Sequence, residues 1–177
     1  MTFLPMIPLR NKWKACFVGA VIFSILYLGA GSIGISSAIP LEKMYPDRVV
    51  PFLSWTIWIY VSHYIFVPFA FIVVIKPELY SPMLYSMLLA TVLASLIFVL
   101  YPTLIYRHPF SSNEPEDMAR SLLYLIDLPT NCFPSLHVAL AIIGSWFVYK
   151  QNRLVGALVV LWAFLIVFST MTIKQHY

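Results

Sequence analysis

The chain has 177 residues, 61% of them hydrophobic and 10% charged, with a net charge of +4. This composition excludes an ordinary soluble domain, which is about half apolar and about a quarter charged. The basic residues are scattered at the ends of apolar runs, a distribution that does not indicate nucleic-acid binding, and the two cysteines cannot form a disulfide framework. The sequence therefore predicts an integral membrane protein.

Five apolar stretches are long enough to cross a bilayer, which takes about 20 helical residues. They predict spans at residues 15–35, 51–75, 83–106, 134–149 and 154–173. The first stretch is too long for a cleaved signal peptide, so we expect a retained span there. The predicted fold is an all-α, polytopic bundle of transmembrane helices.

Only one connection, residues 108–130, is long and polar. Its apolar stretch at 121–126 is too short to span, so we predict a short helix lying along the membrane surface. The acids Glu114, Glu116 and Asp117 are expected to be solvated, because acids close to a phosphate site would repel the phosphate.

The lysine and arginine positions favour a cytoplasmic N-terminus. This orientation places six of the 11 basic residues on the cytoplasmic side: Arg10, Lys12, Lys14, Lys76, Lys150 and Arg153. The other side holds the remaining five basic residues. This number falls to three if Arg107 and Lys174 serve the chemistry of a site and do not set the topology. In this orientation the ends of spans three and five and the start of span four lie on the extracytoplasmic face.

Residues 131–140 carry a polar turn directly into an apolar helix. Pro134 suits the first helical position, because its fixed φ is helical and its missing N–H would have no partner. The N–H groups of Ser135, Leu136 and His137 would then point out of the helix start and favour an anion such as phosphate. An ordinary membrane helix with a histidine at the headgroup level would give the same pattern.

Three polar groups share the predicted extracytoplasmic face: residues 107–109, 134–137 and 169–177. Charged groups near hydrocarbon are costly and tend to line a cavity or carry function. A cation, two histidines and a helix start could bind a phosphate, attack it and protonate the leaving oxygen. We expect no metal or other cofactor, since no carboxylate cluster is evident. His63, inside span two, is interpreted as an interior polar group.

These motifs resemble the type 2 phosphatidic acid phosphatases, a family that includes lipid phosphotransferases. The family pattern is Lys-x6-Arg-Pro, then Pro-Ser-Gly-His, then Ser-Arg-x5-His-x3-Asp, on a six-helix membrane core. Arg107 resembles the first-motif arginine, residues 134–137 (Pro-Ser-Leu-His) resemble the second motif, and Ser169-Thr170 followed by His176 resembles the third. The Pro-Ser-Leu-His form is closest to the branch of inositol phosphorylceramide synthase.

The resemblance implies a metal-independent reaction on a phosphorylated lipid, such as phosphatidate or an isoprenyl diphosphate, with the bilayer as the other partner. It makes His176 the nucleophile that forms a phosphohistidine and His137 the acid that protonates the leaving alcohol. The implied phosphate-binding residues are Arg107, Ser135, Ser169, Thr170 and Lys174, the last replacing a missing cation. The pattern predicts no oligomeric state.

The chain departs from the family pattern where Leu100 replaces the lysine, Pro109 comes one residue late and Thr170 replaces an arginine. The sequence given stops at Tyr177, before the third-motif aspartate and the sixth span. We therefore expect residues 1–177 to be a single domain truncated before its last helix, with little or no turnover. The competing hypothesis is a catalytically silent membrane protein that binds a lipid or a partner helix.

Overall fold

The computed structural model describes residues 5–34, 37–41, 49–105, 107 and 115–174. The chain forms an all-α bundle, as predicted from its apolar runs. The helices are α1 (Lys12–Gly34), α2 (Ile57–Val61), α3 (His63–Val73), α4 (Pro77–Leu100), α5 (Pro115–Ile126), α6 (Leu136–Gln151) and α7 (Arg153–Thr172). Short 3-10 turns at Leu9–Asn11 and Ser54–Thr56 lead into α1 and α2. Two-residue strands, β1 (Ile39–Pro40) and β2 (Thr103–Leu104), pair in parallel with Ile39 opposite Thr103.

Four helical segments are long and apolar enough to cross a membrane: Leu9–Ile33, Ser54–Val73, Pro77–Leu100 and Arg153–Thr172. They match the first, second, third and fifth predicted spans. The fourth prediction, residues 134–149, corresponds to α6, whose 16 residues are fewer than a full crossing of about 20 requires. The start of α6 therefore lies below the level at which the longer helices end, or α6 leaves part of the bilayer uncrossed.

Two predicted helix ends are wrong. The third span was expected to reach residue 106, but α4 ends at Leu100 and Tyr101 is extended, with φ −137° and ψ 70°. Pro102 is the reason, because proline disfavours a helical residue before it and has no N–H for the helix. The fourth predicted span was expected to begin at Pro134, but its helix, α6, begins at Leu136. Ser135 takes the N-cap position, and its hydroxyl accepts a hydrogen bond from Val138 N at 3.4 Å.

Helix α5 contains the predicted surface helix but begins earlier, at Pro115. Proline is favoured at the first helical position, and Glu116 and Asp117 lie in the first turn, where negative charge is stabilised. The expectation that Asp117 is solvated is wrong, because its side chain is buried and forms an ion pair with Arg120. Glu114 lies outside the described residues.

Helices α3, α4, α6 and α7 form the main core, with Phe66, Tyr80, Met83, Val148 and Ile166 fully buried. The turn from α6 to α7 is tight. Asn152 caps α7 by accepting hydrogen bonds from Leu154 N at 3.0 Å and Val155 N at 3.1 Å. A Cβ atom at Gly156 would lie 2.2 Å from Tyr149 Cα, so only glycine permits this approach.

Helix α1 packs against α4 and is fixed at both ends. At its start, Lys12 Nζ donates to Val74 O at 2.9 Å, which places the start of α1 beside the end of α3. At its other end, Asn131 Nδ2 donates to Tyr27 O and Thr130 Oγ1 donates to Gly31 O, both at 2.9 Å. These two bonds hold the segment before α6 against α1 and so position the first turn of α6.

Candidate active site

His137 lies in the first turn of α6 and is 6% exposed. Its Nδ1 atom is 3.2 Å from the hydroxyl oxygen of Tyr60 on α2. The N-cap at Ser135 sets the direction of this turn, so the local sequence brings the histidine ring to the Tyr60 side of the bundle. The ring is therefore held by a specific partner and does not lie free at a headgroup level.

Asp127, which directly follows α5, connects this pair to α1. Its side chain is 2% exposed and accepts hydrogen bonds from two tyrosines. Tyr60 Oη donates to Asp127 Oδ2 at 3.2 Å, and Tyr27 Oη donates to Asp127 Oδ1. Since a tyrosine hydroxyl has one hydrogen, the Tyr60 oxygen is left to accept from Nδ1–H of His137. This hydrogen-bond pattern favours the tautomer with the proton at Nδ1.

Arg107 lies at the carboxyl end of α5. Its guanidinium donates to Tyr124 O at 3.1 Å and to Asp127 O, and its central carbon lies 4.2 Å from the centre of the Tyr124 ring. A cation at the last carbonyl groups of a helix is favourable because these groups carry the negative end of the dipole. Arg107, a predicted phosphate ligand, therefore also caps the carboxyl end of α5 and hydrogen-bonds the backbone of Asp127.

The predicted phosphate ligands on α7 bond to their own helix. Ser169 Oγ donates to Ile166 O at 2.6 Å, and Thr170 Oγ1 donates to Val167 O at 2.7 Å. Both side chains are buried. These oxygens can still accept a hydrogen bond, but in this arrangement their single hydrogens point to the helix backbone. Their role in phosphate binding stays a prediction.

Lys174 ends the described chain in a left-handed backbone conformation, with φ 56°. Its Nζ donates to Val50 O at 2.6 Å, and Leu53 N donates to Thr172 O at 3.0 Å. The hydroxyls of Thr56 and Thr172 are 2.7 Å apart. These contacts attach the end of α7 to the segment before α2. His176, the predicted nucleophile, lies outside the described residues, as does His108.

Two of the predicted site residues, Arg107 and His137, contact Asp127 and Tyr60. Arg107 contacts the backbone of Asp127, and His137 contacts Tyr60. Tyr60 and Ile173, the residue before Lys174, belong to one buried hydrophobic cluster that also contains Ile57, Ala119 and Leu123. The end of α7, the start of α6 and the end of α5 therefore meet at one end of the bundle. The sequence predicted that residues 107–109, 134–137 and 169–177 share one face; it did not predict a role for the end of α5, for Tyr60 or for Asp127.

Four residues at this centre did not enter the predicted site: Tyr27, Tyr60, His63 and Asp127. His63 is buried, and its ring centre lies 4.7 Å from that of His137. The sequence carried one usable signal, because Tyr60 and His63 are three residues apart and therefore share a helix face within a predicted span. Ionisable groups inside membrane helices are functional candidates by default.

A cavity of about 540 Å³ opens beside His137. The cavity lies between α1 and α3, and residues of α4 and α6 also line it. Tyr27, His63, Tyr64 and His137 contribute polar groups at one end, and the rest of the lining is mostly apolar. The hydroxyls of Ser24 and Thr91 also lie in the lining and donate to the backbone of their own helices. The arrangement joins an apolar volume to a hydrogen-bonded histidine, which is the form of a binding site for an amphiphile.

Two other titratable side chains near the site stay protonated at neutral pH. Burial raises the pKa of the Cys132 thiol to about 12, with a further contribution from the Asp127 carboxylate. Burial also raises the pKa of Tyr124, against the opposing effects of Arg120 and Arg107. Neither group is therefore a ready nucleophile. Among the described residues, no group of three or more His, Cys, Asp or Glu side chains could hold a metal ion.

Known proteins provide one line of similarity. No curated protein and no solved structure matches the chain significantly. The model of one protein family, described as the PAP2 superfamily, matches residues 31–177, which is most of the chain and includes every predicted site residue. The chain belongs to the PAP2 superfamily.

Proposed function

We propose that the protein is a metal-independent phosphatase or phosphotransferase that acts on a phosphorylated lipid through a phosphohistidine intermediate. Membership of the PAP2 superfamily supports a phosphatase-type activity on phosphorylated substrates. Four helices long and apolar enough to cross a membrane support an integral membrane location. We propose further that the N-terminus is cytoplasmic and that the reaction takes place at the extracytoplasmic interface.

The observation that carries the proposal is the hydrogen-bonded series from Asp127 through Tyr60 to His137. A general acid must keep its proton-transferring atom directed at the substrate. In the proposed mechanism the Tyr60 oxygen accepts from Nδ1–H of His137, which fixes the tautomer and assigns the proton transfer to Nε2. The Asp127 carboxylate, two hydrogen bonds away, stabilises the positive charge that His137 carries when Nε2 is also protonated.

In the proposed reaction a ring nitrogen of His176 attacks phosphorus, and the bond from phosphorus to the lipid oxygen breaks. His137 gives its Nε2 proton to that departing oxygen. In the second half, water or the hydroxyl of an acceptor lipid attacks the phosphohistidine and gives its proton to His137. The phosphorus–nitrogen bond then breaks and both histidines return to their starting state. The Pro-Ser-Leu-His form, which resembles the inositol phosphorylceramide synthase branch, is the basis for including an acceptor lipid.

The phosphate would lie at the start of α6. The backbone N–H groups of Leu136 and His137 lie at the positive end of that helix. Ser135 Oγ accepts from Val138 N, so its own hydrogen is left to donate to a phosphate oxygen. Arg107 supplies the nearest proposed cation, and we assign supporting contacts to Ser169, Thr170 and Lys174.

The test incubates the purified full-length protein with phosphatidate, with an isoprenyl diphosphate, and with phosphatidylinositol plus ceramide, all in the presence of a metal chelator. Release of inorganic phosphate identifies a phosphatase, and movement of the labelled headgroup to ceramide identifies a transferase. A trapped acid-labile phosphoprotein that is absent in His176→Ala would support the phosphohistidine. No release and no transfer with any of these substrates would refute the proposed activity.

The His137→Gln variant tests the acid role directly. We expect its rate on phosphatidate to fall by about 10²–10⁴-fold. The loss should be much smaller on an aryl phosphate with a nitrophenolate leaving group, because this leaving group departs without a proton. An equal loss on both substrates would contradict the role of His137 as the acid.

A catalytically silent lipid-binding protein is the second candidate. One observation favours it: the cations Arg107 and Lys174 both donate to backbone carbonyl groups. In this conformation both side chains therefore have a structural role. Such a protein would bind labelled phosphatidate without releasing phosphate. Binding that is unchanged in His137→Gln, together with no turnover, would establish this second candidate.

A further inference from the structure

We propose that the cavity between α1 and α3 holds one hydrocarbon chain of the lipid substrate, with the phosphate at the end formed by His63 and His137. The proposal rests on the proposed function and adds to it a site for the chain and a basis for selecting chain length.

The polarity of the cavity changes from one end to the other. On α3, the lining residues run from His63 through Val67 to Phe71, all on one helix face. On α1, they run from Leu28 to Trp13 in the opposite direction. The histidines and tyrosines of the lining therefore lie at the His137 end, and the other end is mostly apolar. A ligand with a polar head and an apolar tail matches this distribution in one orientation only.

The dimensions fit one chain. The lining extends from His63 to Phe71 on α3 and from Trp13 to Leu28 on α1, which corresponds to about 12 Å and about 22 Å at the helical rise of about 1.5 Å per residue. The volume of about 540 Å³ lies within the range of sites for a single small ligand. Gly19 allows the close packing of α1 on α4 at this level, since a Cβ atom there would lie 2.8 Å from Leu84 Cδ1.

The cavity is reached from the side of the bundle. Its α1 wall includes the exposed residues Ala20, Ser24 and Leu28, so the apolar volume is continuous with the surface that the lipid tails cover. A chain can therefore enter from the bilayer without crossing water. In a lipid with two chains, the second chain stays in the bilayer.

Chain length is then a determinant of rate. Each methylene group moved from water into an apolar site improves binding by roughly three- to four-fold. For straight-chain alkyl phosphates of increasing length, presented below the concentration at which they form micelles, kcat/KM should rise by this factor per methylene. The rise should stop when the tail reaches the apolar end of the cavity.

The test compares Ala20→Phe with Val18→Phe. Ala20 lines the cavity, whereas Val18 lies on the same helix, is exposed and does not line it. In Ala20→Phe, the rise with chain length should stop at a shorter chain than in the unmodified protein. Val18→Phe should match the unmodified protein. A cutoff that is the same in all three proteins would overturn the proposal.

A second measurement separates this proposal from the proposed function. A long-chain alkyl phosphate with a photoreactive diazirine at its tail is irradiated with the full-length protein, and the labelled residues are mapped by mass spectrometry. The proposal predicts labelling at Cys16, Val67 and Phe71, whether or not phosphate is released. Labelling spread over lipid-facing residues such as Ile25 and Ile65 would overturn the chain site. Labelling in the cavity without phosphate release from any substrate would instead refute the proposed activity.

Discussion

Tyr60 places its hydroxyl oxygen 3.2 Å from Nδ1 of His137 and 3.2 Å from Oδ2 of Asp127. Tyr60 thus links the imidazole of His137 to the buried carboxylate of Asp127. Replacing Tyr60 with phenylalanine keeps the ring in its buried cluster and removes both hydrogen bonds. We expect kcat to fall by about 10- to 100-fold, the usual cost of removing a group that orients a functional histidine.

Tyr85→Phe is the matched control for this change. The Tyr85→Phe variant also loses one hydroxyl hydrogen bond, to Pro5 O at 2.9 Å. Tyr85 lies in the first half of α4, away from the Tyr60 site. Its kcat should be unchanged. If Tyr60→Phe acts on orientation of the acid, its loss should shrink on a nitrophenyl phosphate. The same loss on every substrate would show that Tyr60 is only structural.

Replacing Asp127 with asparagine should cost more than removing the Tyr60 hydroxyl. The substitution keeps the shape but removes the charge that accepts from Tyr27 and Tyr60, and it turns one acceptor into a donor. We expect kcat to fall by about 10²–10⁴-fold. A steady-state assay combined with the thermal unfolding midpoint checks this result. Activity close to that of the unmodified protein would remove Asp127 from the mechanism.

Arg107 has two assigned tasks, and one pair of variants separates them. Arg107→Lys keeps a positive charge but cannot donate to Tyr124 O and Asp127 O at the same time with the geometry of a guanidinium. We expect it to raise KM by less than Arg107→Ala does, while both variants lower the unfolding temperature. Equal KM values in Arg107→Ala and the unmodified protein would leave only the structural task.

The turn between α6 and α7 gives a prediction of stability. In Gly156→Ala, the new Cβ atom would meet backbone at Tyr149, so the two helices must move apart. We expect a loss of about 1–3 kcal/mol, typical of overpacking. Gly29→Ala is the control, since nothing lies within 4 Å of its Cβ position. It should stabilise the protein by about 0.5–1 kcal/mol, because alanine is the better helix former. Thermal unfolding in detergent measures both, and equal effects would contradict the prediction.

The Cys132 thiol should resist alkylation in the folded protein. Its pKa of about 12 keeps it protonated at pH 8, and the reactive form is the thiolate. In a Cys16→Ser background, Cys132 is the single cysteine of the chain. Maleimide should label it slowly in the folded protein and rapidly after denaturation. Fast labelling of the folded protein would show that the segment before α6 opens readily.

The spans were predictable because each depends on a local property, the length of an apolar run. The helix ends were less predictable where two local signals competed. At the start of α6, Pro134 and Ser135 both favour a helix start, and the hydroxyl of Ser135 decided between them by capping Val138 N. The sequence also identified His137 as a candidate and predicted that it lies on the same face as the end of span five, which stays a prediction.

The partners of His137 could not be predicted, because they come from distant parts of the chain. Tyr60 lies 77 residues before His137, and Tyr27 lies 100 residues before Asp127. Each is a tyrosine in an apolar helix, a pattern equally typical of interfacial belts and of buried packing. Only the packing of α1, α2 and α5 around one point distinguishes these tyrosines from the rest.

Tyr27 belongs both to the cavity and to the hydrogen-bonded group around Asp127. Its ring is part of the cavity wall, and its hydroxyl is bonded to Asp127. If α1 moves outward at this level to let a large ligand pass, it must first release that hydroxyl from the carboxylate. Such a movement would remove one of the two tyrosine hydrogen bonds to Asp127 and leave the series from Asp127 through Tyr60 to His137 in place.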